Sequence, residues 1–312
     1  MTTSGPARLA LALTALAGTL WASDARASAC CMSASVTGVG RLAIWEQAAT
    51  GVMTTYGHGT GLYTASSEYR GLPEGVREDD LRFDAWALVR LAESVQVTAR
   101  VPWVVGLKSA PDGTSSVGAG FGDVMAGARW DVIGLGEYAE LPGIALMGSV
   151  VAPTGRRPEQ AFDALGATAT GRGAWGLSAA LAVEKAVVPW FIRADAALTY
   201  NFSFQRADTQ QWQQFGPGLN VGVTGGYELK PDKLVLALAL RVDHEWPLRV
   251  DGEVMPDSSA TALTATLSGS WKVTPKWTLT GSVGTDALGR LGVAQNRPER
   301  AVFSLGVRYG FF

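Results

Sequence analysis

The chain has 312 residues, enough for one large domain or two ordinary ones, and a net charge of −2. That balance excludes the basic field on which nucleic-acid binding depends. Only 17% of the residues are charged, against about 25% in soluble domains, while glycine occurs 38 times and tryptophan 11 times. Few charges without long internal apolar runs point to apolar surface spread along alternating strands.

The long apolar run lies at the start. Arg8 precedes Leu9 to Ala22, and Ala27-Ser28-Ala29 follows, so residues 1–29 read as a cleaved signal peptide. A retained anchor is the alternative, but the run is short and Asp24 and Arg26 follow it directly. No later segment reaches the roughly 18 consecutive apolar residues of a membrane helix. Cys30 and Cys31 are adjacent, a geometry that strains a mutual bridge. A lipid anchor on Cys30 stays open, although Ala27 stands where lipoprotein signals carry a larger aliphatic residue. Residues 30–51 read as a periplasmic segment or a small plug, and Arg41 to Ala49 fits a short amphipathic helix.

From Val52 onward the hydrophobic period is two. Trp190, Ile192, Ala194, Ala196, Leu198 and Tyr200 share one face, while Arg193, Asp195, Thr199 and Asn201 share the other. The pattern recurs and predicts strands at 52–64, 81–93, 95–105, 118–132, 142–152, 173–185, 189–204, 217–229, 233–245, 260–272, 276–286 and 301–312. The connections alternate between short and long, as the turns and loops of outer-membrane barrels do. Trp103, Trp130, Trp175, Trp190, Tyr227, Trp246, Trp271 and Trp277 fall near strand ends, where amphipathic rings meet headgroups. The reading is an all-β chain: a transmembrane antiparallel up-and-down β-barrel of about twelve strands over 52–312, placed in the outer membrane. A soluble β-sandwich shares the alternation but not the loop rhythm or the aromatic placement. The chain ends Tyr309-Gly310-Phe311-Phe312, an aromatic terminus of the kind that barrel-assembly machinery reads, with Phe312 out of phase.

The stretch Gly118-Ala119-Gly120-Phe121-Gly122-Asp123 suggests a dinucleotide loop, but no helix or parallel unit follows it. In a strand such glycines permit coiling and close backbone approach. Gly120-x-Gly122-Asp123, continuing to Gly127-x-Arg129-Trp130, together with Val151-Ala152-Pro153-Thr154-Gly155, resembles the meta-pathway phenol-degradation family of outer-membrane transporters. The resemblance extends over 52–312. It implies passage of small, often hydrophobic or aromatic, compounds.

Arg82, Asp84, Arg90, Arg100, Asp123, Arg129, Arg193, Asp195, Arg241, Asp243 and Glu245 are the expected lumen-facing charges. They form either a polar solute path or a salt-bridged filling, since about twelve strands make a lumen narrower than that of open porins. In an open lumen, Arg129, Arg193 and Arg241 would enrich anions. Catalysis is not expected: His58 has Thr60 where a serine would be wanted, and Asp243 and Glu245 flank His244 on the opposite strand face. No cofactor or metal site is expected, and Glu78, Asp79 and Asp80 read as a solvated external loop. The function expected is passive transport of small molecules. A closed structural or adhesive barrel and, more remotely, a lipid-modifying hydrolase are the alternatives. Expected partners are outer-membrane lipids, the assembly machinery through the last strand, and a small solute.

Overall fold

The computed structural model describes residues 40–312; the expected signal peptide at 1–29 and Cys30 lie outside the described residues. The fold is a closed antiparallel β-barrel of twelve strands. They are β1 (Ala48–Tyr63), β2 (Arg77–Ala92), β3 (Val95–Ser109), β4 (Ser115–Phe121 continuing as Val124–Ile133), β5 (Gly143–Ala152) and β6 (Gly176–Val187). The second half is β7 (Trp190–Asn201), β8 (Gly218–Lys230), β9 (Leu234–Glu245), β10 (Ala260–Lys272), β11 (Trp277–Thr285) and β12 (Pro298–Phe311). Each pairs with its chain neighbour, and β12 closes on β1 from Ala48↔Phe311 to Leu62↔Pro298. Closure leaves no free edge, so every ladder group has a partner in the apolar layer.

Alternation fixes the two faces. On β7, Trp190, Ile192, Leu198 and Tyr200 are exposed on the outside, while Phe191, Arg193, Asp195 and Ala197 are buried inside. Aromatic pairs form two outer belts. Trp190–Tyr227 (4.5 Å) and Trp277–Tyr309 (4.8 Å) lie near the short-turn rim. Trp103–Phe121 (4.9 Å) and Tyr200–Phe202 (5.1 Å) lie near the long-loop rim. Leu, Val and Ala fill the band between the belts, the arrangement that a bilayer requires.

Several boundaries differ from those the period suggested. β1 begins at Ala48 rather than 52, and 41–49 holds no helix. Residues 40–47 instead run along the barrel interior: Leu42 packs with Ala49 and Leu88, and its N–H donates to Gln96 Oε1 at 2.8 Å. Arg90 donates to the carbonyls of Ala43 and Glu46. The barrel wall thus satisfies the backbone groups that a helix would have paired internally. Strands β2 to β4 rise well past the belt, which turns the expected long loop at 106–117 into a tight connection between Ser109 and Ser115. That extension also places Glu78, Asp79 and Asp80 on β2 rather than in a loop. The connections 202–217 and 246–259 meet in a small external sheet of short strands.

β4 contains a phase break. Trp103 pairs with Phe121, yet Arg100 pairs with Met125, so one extra residue sits at Gly122-Asp123. Gly118, Gly120 and Gly122 therefore face inward above the break, and Met125 and Arg129 face inward below it. Ala167 of the loop between β5 and β6 lies so close to Gly106 and Gly118 that a Cβ on either would approach its carbonyl oxygen to 2.5 Å. The glycine run is a saddle for that inserted loop.

Candidate functional site

The interior charges sort into distinct groups. The central one is built on Glu184, which is 1% exposed and accepts from three guanidinium groups. These are Arg41 at 2.9 Å, Arg129 at 3.1 Å and Arg193 at 3.3 Å. Arg129 also holds Asp131 (2.8 Å), and Arg193 holds Asp195 (2.7 Å). Three cations thus meet three carboxylates, which is the condition under which buried charge is tolerated. A second group joins Arg82 to Asp84 at 2.9 Å, with Arg100 at 3.7 Å from the same oxygen.

Asp123 belongs to neither group. Its carboxylate accepts the N–H of Gly155 (2.9 Å) and of Arg172 (2.7 Å), clamping both ends of the inserted loop. Glu245 stands at the long-loop rim between Arg172 (2.6 Å) and Arg297 (3.2 Å). Arg90 is spent on the carbonyls of the entering chain.

Arg241 and Asp243 differ from all of these. Neither side chain makes a hydrogen bond or a close ion pair with a described residue, Asp243 feeling Arg241 and Arg297 only at longer range, and both line a cavity of about 270 Å³. Seven hydroxyl side chains share that cavity: Thr224, Thr264, Thr266, Ser268, Ser270, Thr280 and Ser282. Its remaining lining includes Met53, Phe191, Val235, Ala237 and Ala239. The lumen therefore has two unlike halves. Beside β2 to β7 it is occupied by paired charges, the entering segment and the inserted loop, with a cavity of about 650 Å³ left between that loop and Asp80, Val104, Gly106, Lys108 and Arg300. Beside β8 to β11 it is open, hydroxyl-lined and partly apolar.

Sequence reasoning put Arg129, Arg193 and Arg241 in one anion-attracting set; the structure separates Arg241 from the other two. It also missed Glu184, Arg41 and Asp131, which hold the central network. Glu184 was legible only as one polar position opposite Leu181 and Val183. Neither histidine lies inside. His58 Nδ1 sits 2.7 Å from Asp79 Oδ1 on the outer wall, where Tyr56 and Arg77 also donate to Asp79. His244 Nδ1 is 2.9 Å from Thr261 Oγ1 and stacks edge-on against Trp246. No cluster of metal-ligating side chains occurs among the described residues.

A closed twelve-stranded barrel with two aromatic belts and a polar, partly open interior is the fold of outer-membrane channels. Among solved structures, the chain is similar to the COG4313 outer membrane channel from Pseudomonas putida F1, with a TM-score of 0.70, 14% identity, and coverage of 93% of this chain and 100% of that one. The NanC porin is similar at a TM-score of 0.50 and 8% identity, over 83% of this chain and 98% of that one. The family described as "Putative MetA-pathway of phenol degradation" matches residues 71–305, and the chain belongs to that family. No curated protein sequence matches it.

Proposed function

We propose that this protein is an outer-membrane channel that passes small molecules, hydrophobic and aromatic ones included, along the β8 to β11 half of its lumen. The observation that carries this reading is the cavity of about 270 Å³ in whose lining seven hydroxyls alternate with Met53, Phe191, Val235, Ala237 and Ala239, the last three paired directly with Ser270, Ser268 and Thr266. Hydroxyls replace water for a polar group without holding it as an ion would, and the apolar side chains between them accept a hydrocarbon body. The short-turn rim is assigned to the periplasm and the last strand to the assembly machinery, as the general build of such barrels supports. Chemistry is not part of the proposal: His58 is bonded to Asp79 and His244 to Thr261, and neither to a serine nucleophile.

The test is twofold. Purified barrel in planar bilayers should conduct ions, and cells carrying it should accumulate small aromatic solutes faster than cells without it. A second reading, a closed structural barrel, draws on the Glu184 network and the loop held by Asp123, which together obstruct the other half. Absence of both conductance and uptake would establish that second reading.

A further inference from the structure

Four Arg-x-Asp pairs point into the barrel. Three are closed: Arg82–Asp84 at 2.9 Å, Arg129–Asp131 at 2.8 Å and Arg193–Asp195 at 2.7 Å. The fourth, Arg241 and Asp243, has the same spacing on the same kind of strand and is open. Its neighbours in register differ. Gly222 and Thr264 flank Arg241, and Asn220 and Ala262 flank Asp243, so no adjacent strand supplies a charge to either. At the closed pairs Glu184 or Arg100 stands alongside. The charges nearest the open pair are already engaged. Asp286 accepts from Thr264 at 2.6 Å, and Arg297 holds Glu245 at 3.2 Å.

We propose that Arg241 and Asp243 form a binding site for an uncharged small molecule that carries a hydroxyl head on an apolar body. This rests on reading β8 to β11 as the conducting half and names what that half selects. A single hydroxyl both donates and accepts, so it satisfies the carboxylate and the guanidinium at once. The two positions lie about 7 Å apart along the strand, a gap that the long Arg241 side chain spans toward the short Asp243, with a small head held between them. The pair is neutral as a unit. An anion gains Arg241 and meets Asp243, a cation does the reverse, and a neutral head with both functions escapes either conflict. The apolar body then lies against Met53, Phe191, Ala237 and Ala239. Below the pair, Thr266, Ser268 and Ser270 continue down β10, offering the head successive partners of similar strength. Passage needs binding sites that are favourable to enter and weak enough to leave.

The experiment uses three probes of one length: 6-fluorohexan-1-ol, 6-fluorohexanoate and 6-fluorohexylammonium. Their fluorine transverse relaxation is measured with the full barrel in detergent micelles, after subtracting empty micelles. The alcohol should bind at least about tenfold more tightly than either ion, and Arg241→Gln or Asp243→Asn should each remove that preference, as loss of a hydrogen bond to a charged group implies. Ala237→Phe, which fills the cavity from β9, should abolish alcohol binding without touching a charge. Alcohol binding unchanged in all three variants overturns the proposal. Tight hexanoate binding lost in Arg241→Gln overturns it too, leaving a plain cationic site. Binding without conductance in planar bilayers refutes the channel reading and keeps the site; conductance without alcohol binding does the opposite.

Discussion

Glu184 is the residue whose loss should cost the barrel most. It is 1% exposed and receives three guanidinium groups between 2.9 and 3.3 Å. Glu184→Gln keeps the shape and one acceptor but leaves Arg41, Arg129 and Arg193 facing only Asp131 and Asp195. Removing one member of a buried pair costs about 3–5 kcal/mol, and retention of the amide acceptor places this change near about 3 kcal/mol. Urea titration of the barrel refolded into bilayers measures it. Arg41→Gln in the same chain restores equal charge, so the double variant should recover about 1.5 kcal/mol rather than add a second loss. Arg41 enters from the segment before β1, so Glu184→Gln should also loosen residues 40–47 and raise conductance. A single-variant loss below about 1 kcal/mol, or simple additivity of the two changes, would refute the view that Glu184 is the centre of a balanced network.

Three further outcomes follow from the same geometry. Leu238 is 52% exposed on the outer face in mid-strand, so Leu238→Arg should destabilise by about 2–4 kcal/mol in a bilayer-refolding titration, and Ala239→Arg, which faces the cavity, by less. Asp123→Ala frees both ends of the inserted loop, so protease added to intact cells should cut 153–172 faster than in the wild type while sparing the Lys230 to Asp232 turn. In that loop the Thr168 hydroxyl and the Thr168 and Ala167 amides hold the Asp163 carboxyl well below the usual carboxylate range. A lowered folded value stabilises the loop above the ordinary carboxylate pKa and is lost only as pH falls through that lowered value. The Thr168 amide chemical shift should therefore stay constant from neutral pH down to about 4, and a transition near 4 would contradict it.

The barrel was legible because its rule is local. Each strand declares its two faces by period, and Leu236, Leu238 and Leu240 opposite Arg241 and Asp243 need no knowledge of any other strand. Features that depend on registration between strands were not. The extra residue at Gly122-Asp123 became visible only once Trp103 was paired with Phe121 and Arg100 with Met125. The stretch 41–49 carries apolar residues at helical spacing, yet its backbone partners are Gln96 and Arg90, some fifty positions along the chain. The list of inward charges was written without partners, and partners decide their roles. Asp123 clamps a loop, Arg90 caps an entering chain, and Glu245 bridges a rim.

The division of the lumen follows from how charge is distributed around the wall. Twelve strands enclose a space that side chains can nearly fill. Long arginines on β2, β3, β4 and β7 reach across it, and each one must be neutralised by carboxylates such as Asp84, Asp131, Glu184 and Asp195. Beside them, Gly106, Gly118, Gly120 and Gly122 leave room that a loop occupies. On β10 and β11 the inward positions are Thr and Ser, too short to cross and too weakly polar to demand a partner. That leaves the cavity of about 270 Å³, and only there does an Arg-x-Asp pair stay open among the four that point inward. The same substitution of hydroxyls for charges that leaves room in the β8 to β11 half also leaves Arg241 and Asp243 without a side-chain hydrogen bond or close ion pair. The opening and the recognition site thus share one cause, which is why filling the cavity from Ala237 and neutralising Arg241 should abolish the same binding.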